Sequence, residues 1–133
     1  MGQIGCQSLA PETFWTNSLF ENTAEVALGM NKVLDTPVWA IMGDGAAIDI
    51  NFGGLSFVLS KHNNVKTLVL DTNGYSNTGG QYSSTSLPGT KTSLATKGVK
   101  ETPKDLFKIG LMHGNCYVAT VTMENPTRTA KIF

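Results

Sequence analysis

Charge is scarce and balanced in this sequence. Ten Lys and Arg stand against ten Asp and Glu, the formal net charge is zero, and charged residues make up 15% of the chain. A general binder of nucleic acid or of an anionic membrane surface carries a basic excess, so the balance argues against both classes. Cysteine is rarer still: Cys6 and Cys116 lie far apart, with no metal-ligand spacing and no basis for a disulfide framework. A reducing, intracellular setting is expected, which means the cytoplasm or, in an anaerobic eukaryote, a hydrogenosome-like organelle. No apolar run approaches the roughly 20 residues that span a bilayer. Residues Met1 to Cys6 lack a basic start and an apolar stretch, so no secretory signal is expected. Neither a Gly-x-Gly-x-x-Gly fingerprint nor a Walker lysine motif occurs, which counts against a dinucleotide or P-loop module. The 133 residues, 41% of them hydrophobic, suffice for one domain with a core.

What is present is a strand–turn–helix–strand–loop unit between Ala40 and Gln81. Val38-Trp39-Ala40-Ile41-Met42 and Lys66-Thr67-Leu68-Val69-Leu70 are short apolar runs with β-branched residues, bounded by glycine or polar punctuation. They read as two buried strands of a parallel sheet, joined by a helix in a βαβ unit. The expected fold class is therefore α/β, a mostly parallel sheet with flanking helices. Gly43-Asp44-Gly45 follows the first strand, and Asp71-Thr72-Asn73-Gly74-Tyr75-Ser76-Asn77-Thr78-Gly79-Gly80-Gln81 follows the second. Parallel strands end on one rim, where ligands of open α/β sheets bind. About 28 positions separate Asp44 from Thr72, the length of one helix and one strand in such a unit. A carboxylate from Asp44, a hydroxyl from Thr72 and a carbonyl from Gly74 are the oxygen donors that magnesium takes alongside phosphate oxygens. Gly43 and Gly45 allow a tight turn and close approach of amides to a phosphate, and Asn73 and Gly74 can take positive φ.

At these residues the sequence resembles a known family. Gly43-Asp44-Gly45 with Asn77 is similar to the thiamine diphosphate motif. The longer strings Gly43-Asp44-Gly45-Ala46-Ala47-Ile48-Asp49-Ile50, Phe52-Gly53-Gly54-Leu55, Leu70-Asp71-Thr72 and Tyr75-Ser76-Asn77-Thr78-Gly79-Gly80-Gln81 resemble pyruvate:ferredoxin (flavodoxin) oxidoreductase, as does Asn17-Ser18-Leu19-Phe20-Glu21-Asn22-Thr23-Ala24-Glu25. The resemblance runs from about Gly5 to Phe133 and implies the diphosphate-binding domain of that enzyme's thiamine-diphosphate fold, in part. It implies that Gly43, Asp44, Gly45 and Ala46 contact the diphosphate and that Thr72, Asn73, Gly74, Tyr75, Ser76 and Asn77 wrap it. Asn77 would reach the reactive end as the catalytic residue, and Asp44, Thr72 and Gly74 would ligate Mg2+. It also implies Cys6 as one ligand of a 4Fe-4S cluster whose other ligands are mostly absent here. The implied reaction decarboxylates pyruvate, passes electrons through iron–sulfur clusters to ferredoxin or flavodoxin and forms acetyl-coenzyme A. The implied assembly is a homodimer, with the pyrimidine-binding half supplied by missing domains or a partner chain. Two departures stand out. The chain is shorter than the family pattern between Pro11 and Trp15, and Ala46 stands where the family often has an aromatic residue.

The remaining chain reads as scaffold. Asn17 to Leu34 is expected to be helical, opened by a Ser18/Glu21 capping box, with Leu19, Thr23, Val26, Met30 and Leu34 as its buried stripe and Glu25 on a solvated face. Ile48, Phe52, Leu55 and Leu59 keep helical spacing after Gly45, with Gly53-Gly54 placed for a close approach. Asp49 reads equally as a partner of the site or as a solvated acid, and His62 as an exposed turn residue. Ser83 to Lys100 reads as a solvated basic loop or weak helix. Thr102-Pro103 is expected to start a helix burying Leu106, Phe107, Ile109, Gly110 and Leu111 and ending at Gly114, with His113 suited to its dipole. Cys116 to Val121 is expected as a third buried strand, and Asn125-Pro126 as the start of a last helix. Residues 1–133 would then be one partial domain of a longer protein or a truncated relative, inactive alone. Two other classes remain open: another nucleotide-binding α/β module, and a non-enzymatic remnant or interaction subunit.

Overall fold

A computed structural model of the chain describes residues 21–133, so Cys6, Ser18, Leu19 and the shortened stretch between Pro11 and Trp15 lie outside the described residues. Two strands, β1 (Val38–Gly43) and β2 (Val65–Leu70), pair in parallel, in register from Val38 opposite Val65 to Gly43 opposite Leu70. Alternation decides which side is covered. Val38, Ala40 and Met42 are buried on one face, while Trp39, Ile41 and Gly43 on the other are exposed or half-buried. The expectation of strands buried on both faces is thus corrected: among the described residues a single face is packed.

Helix α1 (Thr23–Asn31) lies against both strands and against α2 (Phe52–Leu59). Its buried positions are Ala24 and Ala27, not the larger stripe expected from spacing. Small side chains let the helix sit close to the sheet, and Leu34 is left largely exposed. The capping box is also revised. Glu21 takes a left-handed φ of 65° ahead of the helix, whose N-cap is Asn22. Ala24, Ala27, Val38, Ala40, Met42, Ala46, Ala47, Ile48, Leu55 and Val58 form one core cluster. Each large member that is fully buried contributes about 1.5–3 kcal/mol relative to exposure.

The helix expected after Gly45 is two pieces. A π-helical turn (Ala46–Ile50) buries Ala46, Ala47 and Ile48, and Asn51 then breaks the run at φ −131° before α2 begins. The Asn51 carbonyl oxygen Oδ1 caps α2 by accepting from the Gly54 amide at 3.2 Å. Its Nδ2 donates to Glu25 Oε1 at 2.6 Å and to the Glu21 carbonyl at 3.1 Å. Glu25 is therefore a clamp between α1 and α2 rather than a solvated acid. A side chain on Gly54 would collide with its carboxylate, which explains that glycine. Gly53 has open space around its Cα.

After β2 the chain is mostly irregular until α3 (Leu106–Leu111), capped by Asp105, whose Oδ1 accepts from the Lys108 amide at 3.1 Å. Helix α3 starts later than Thr102-Pro103 suggested, and Phe107 and Leu111 face out. Gly114, at φ 66°, ends it as expected. His113 Nδ1 donates to the Ile109 carbonyl at 2.9 Å, and Nε2 pairs with Ser56 Oγ at 2.8 Å. The third strand does not form among the described residues. Residues 116–121 run back along α3, with the Cys116 thiol 3.4 Å from the Gly110 carbonyl and Tyr117 82% exposed. An apolar β-branched run has strand propensity, but this one packs on Gly110 through Val118 instead of joining the two-stranded ladder. Helix α4 (Pro126–Ala130) closes the chain, capped by Asn125 as expected.

Candidate functional site

The last ladder pair is Gly43 opposite Leu70, so the chains leaving β1 and β2 emerge side by side on one rim. Asp44 follows immediately and is 2% exposed. Its carboxylate is committed on one side. Oδ2 accepts from Ser83 Oγ at 2.5 Å and from Thr85 Oγ1 at 2.9 Å. Oδ1 faces Thr72, whose amide and hydroxyl stand 3.4 and 3.5 Å away, too long for strong hydrogen bonds. The Thr72 hydroxyl is 3.0 Å from the Gly74 carbonyl oxygen and 2.9 Å from Ser76 Oγ. Asp44 Oδ1, Thr72 Oγ1 and Gly74 O thus cluster at one place.

That donor set fits magnesium. Ligands at 2.0–2.1 Å in octahedral geometry put neighbouring oxygens about 2.9 Å apart. The hydroxyl–carbonyl pair is already at that separation, and the carboxylate–hydroxyl pair is about half an ångström wider. No group of three His, Cys, Asp or Glu side chains that could hold a metal occurs among the described residues, so any ion here would rely on hydroxyl, carbonyl and phosphate oxygens.

A cavity of about 180 Å³ opens beside these atoms. It is lined by Gly43, Asp44, Gly45 and Ala46 from the first turn and by Thr72, Gly74, Tyr75, Ser76 and Asn77 from the second loop. Nine of the residues expected at the site from sequence meet there. Asn73 does not line it. Its φ is 56°, and its side chain turns to Asp71 Oδ1 at 3.1 Å and the Thr85 carbonyl at 3.2 Å, bracing the loop from behind. Gly74, expected at positive φ beside it, has an ordinary φ and is glycine because a Cβ would stand 2.9 Å from the Gln81 carbonyl. Positive φ falls instead at Gly79 and Gly80, where the loop folds back and Tyr75 pairs with Gln81.

Tyr75 joins the two loops. Its ring lies against Gly45, where any Cβ would collide with it. Its hydroxyl donates to Asp49 Oδ2 at 3.2 Å and stands 3.5 Å from the Gly45 carbonyl. Burial, with the neighbouring Asp49 carboxylate adding to it, pushes the Tyr75 phenol up to about 12. The phenol therefore stays protonated and acts as a donor throughout the physiological range. Asp49 resolves as a partner of the site: Oδ2 also accepts from the Ser84 amide at 3.0 Å, and Oδ1 lies 3.8 Å from Lys104 Nζ.

The segment after the loop, expected from sequence to be solvated, is so at Lys91, Lys97 and Lys100. Its first residues are not. Ser83, Thr85 and Ser86 are 3%, 3% and 1% exposed. A signal existed for them: a carboxylate withdrawn from water needs hydrogen-bond donors, and Ser83-Ser84-Thr85-Ser86 is a run of hydroxyls just past the loop. Glu21, at the cavity edge, was also missed as a lining residue.

The profile of the family described as thiamine pyrophosphate enzyme, C-terminal TPP binding domain, matches residues 3–132. Pyruvate-flavodoxin oxidoreductase of Trichormus variabilis is 49% identical over 86 residues, covering 65% of this chain and 7% of that protein. A mitochondrial pyruvate dehydrogenase (NADP+) of Euglena gracilis is 42% identical over 110 residues, 82% of this chain and 6% of that protein. Among solved structures, a 2-oxoglutarate:ferredoxin oxidoreductase from Magnetococcus marinus, with 2-oxoglutarate, coenzyme A and succinyl-CoA bound, superposes with a TM-score of 0.64 at 25% identity. That match covers 71% of this chain and 33% of the other. The chain spans less than a tenth of the length of these curated relatives. A profile match over nearly every residue and this similarity together place the chain in the family of C-terminal thiamine-pyrophosphate-binding domains, alongside the pyruvate-flavodoxin and pyruvate:ferredoxin oxidoreductases.

Proposed function

We propose that the chain is the diphosphate- and magnesium-binding part of a 2-oxo-acid oxidoreductase acting on pyruvate. The observation that carries this reading is the convergence of Asp44 Oδ1, Thr72 Oγ1 and Gly74 O beside a cavity lined by the Gly43–Ala46 turn. Asp44, Thr72 and Gly74 hold Mg2+, which neutralises the diphosphate. The turn after β1 offers it backbone amides that have no intrahelical partner. When bound, thiamine diphosphate supplies the electron sink that lets a 2-oxo acid lose carbon dioxide. Asn77 lies on the loop that would face the reactive end and offers an amide for orienting the substrate.

The whole protein would convert pyruvate and coenzyme A to acetyl-coenzyme A and carbon dioxide, releasing two electrons through iron–sulfur clusters to ferredoxin or flavodoxin. Cys6 would be one ligand of such a cluster, which needs thiolates from elsewhere. The present residues form one partial domain, inactive without a pyrimidine-binding half from missing domains or a partner chain, in a homodimeric cytoplasmic enzyme. Isothermal titration of thiamine diphosphate with and without MgCl2 tests the site. Binding should require the metal, and both Asp44→Ala and Thr72→Val should weaken it at least tenfold. Equal binding by the variants and the unchanged chain would refute the assignment.

A further inference from the structure

We infer that Ser83 and Thr85 are positioning residues that hold Asp44 to one-oxygen coordination and so set the site's preference for magnesium over calcium. This rests on the reading of the site given above. The geometry has three parts. First, Asp44 is almost wholly buried, so its carboxylate cannot turn to water for compensation. Second, Oδ2 receives two hydroxyls, Ser83 at 2.5 Å and Thr85 at 2.9 Å, whereas among the described residues Oδ1 has only the two distant Thr72 groups. The single Thr85 proton belongs to Asp44, because Asp71 Oδ1 at 3.0 Å already accepts from the amide and side chain of Asn73, and the Ser83 hydroxyl oxygen at 3.0 Å is a neutral, weaker acceptor that already receives the Thr85 amide. Third, the strap carrying both hydroxyls is anchored to the start of the loop that precedes it. Ser86 Oγ accepts from the Ser83 amide at 2.9 Å and donates to the Asn73 carbonyl at 2.6 Å.

An ion at the rim therefore meets Oδ1 alone. Bidentate binding would need Oδ2 to swing toward the ion and abandon both hydroxyls. Magnesium accepts one oxygen per carboxylate in a rigid octahedron, while calcium takes six to eight ligands and gains from bidentate carboxylates. Fixing the carboxylate through its other oxygen penalises the larger ion, as hydrogen-bond partners behind a ligand commonly tune a metal site by 10–100-fold.

The test compares the concentrations of MgCl2 and of CaCl2 that half-saturate thiamine diphosphate binding, read by titration calorimetry. In Ser83→Ala/Thr85→Val the calcium-to-magnesium ratio of these concentrations should fall about tenfold, and Thr85→Ser, which keeps the hydroxyl, should retain the original ratio. If the double variant fails to fold, Thr85→Val alone carries the test, with a fall of about threefold expected. A ratio unchanged within twofold in a folded variant that still binds would overturn this inference and leave the site assignment standing. Absence of metal-dependent binding in the unchanged chain would overturn both.

Discussion

Gly45→Ala is the substitution for which local and tertiary reasoning give opposite signs. Gly45 has φ −62° and ψ −39°, an ordinary right-handed helical conformation. On backbone grounds alone, alanine there should stabilise the fold by about 0.5–1 kcal/mol, since glycine loses more freedom on folding. The surroundings reverse this. An added Cβ would run into the Tyr75 ring, touching its Cδ1, Cε1 and Cζ atoms, so the ring must move. Moving it strains the bond from the phenol to the Asp49 carboxylate. That bond is exposed to solvent, so loosening it costs about 0.5–1 kcal/mol, and overpacking costs about 1–3 kcal/mol of its own. With the backbone gain subtracted, the net expectation is a loss of about 1–3 kcal/mol. Urea unfolding of the unchanged chain, Gly45→Ala, Tyr75→Ala and the double variant measures it. In the Tyr75→Ala background the same glycine substitution should become neutral or stabilising, a coupling of about 2–3 kcal/mol. A Gly45→Ala protein as stable as its parent while Tyr75 is present would refute the packing argument.

Two further expectations follow from the same contacts. The phenol of Tyr75, raised to about 12, should appear as a late step in ultraviolet titration of tyrosinate. Because the folded value lies above the ordinary 10, its contribution to stability is complete below pH 10 and is lost as pH rises toward 12. Asp49→Asn should move that step down without restoring the ordinary value, since burial is the larger cause. Asn51→Ala removes the cap of α2 and the donor to Glu25, whose other oxygen is buried without a hydrogen-bond partner among the described residues. A loss of about 2–3 kcal/mol in chemical denaturation is expected, and a loss under 0.5 kcal/mol would show that the clamp is not formed.

The rim residues were legible because their spacing alone carries them to one place. Asp44 follows one short apolar run and Thr72 follows the next, and parallel pairing from Val38–Val65 to Gly43–Leu70 leaves no other place for them. The terminal helix and its Asn125 cap were legible for a similar reason: a cap is a local hydrogen bond between residues three apart. Where competing partners at long range decide, the linear pattern failed. The Cys116–Val121 run has strand propensity but finds no ladder among the described residues, and the α1 stripe was misread because two alanines allow closer contact than the larger residues do.

Sequence by itself determined the α/β class and the meeting of Asp44, Thr72 and Gly74 at one rim, because these depend on separations of one helix and one strand, and its longer motif strings carried the resemblance to the family. Only tertiary structure decided what stands behind them. Ser83 and Thr85 reach Asp44 across 39 and 41 positions, and Asn51 reaches Glu25 across 26. Contacts of that kind leave no period in the chain, since they arise where burial withdraws a polar group from water and whichever donor the fold has brought nearby must satisfy it.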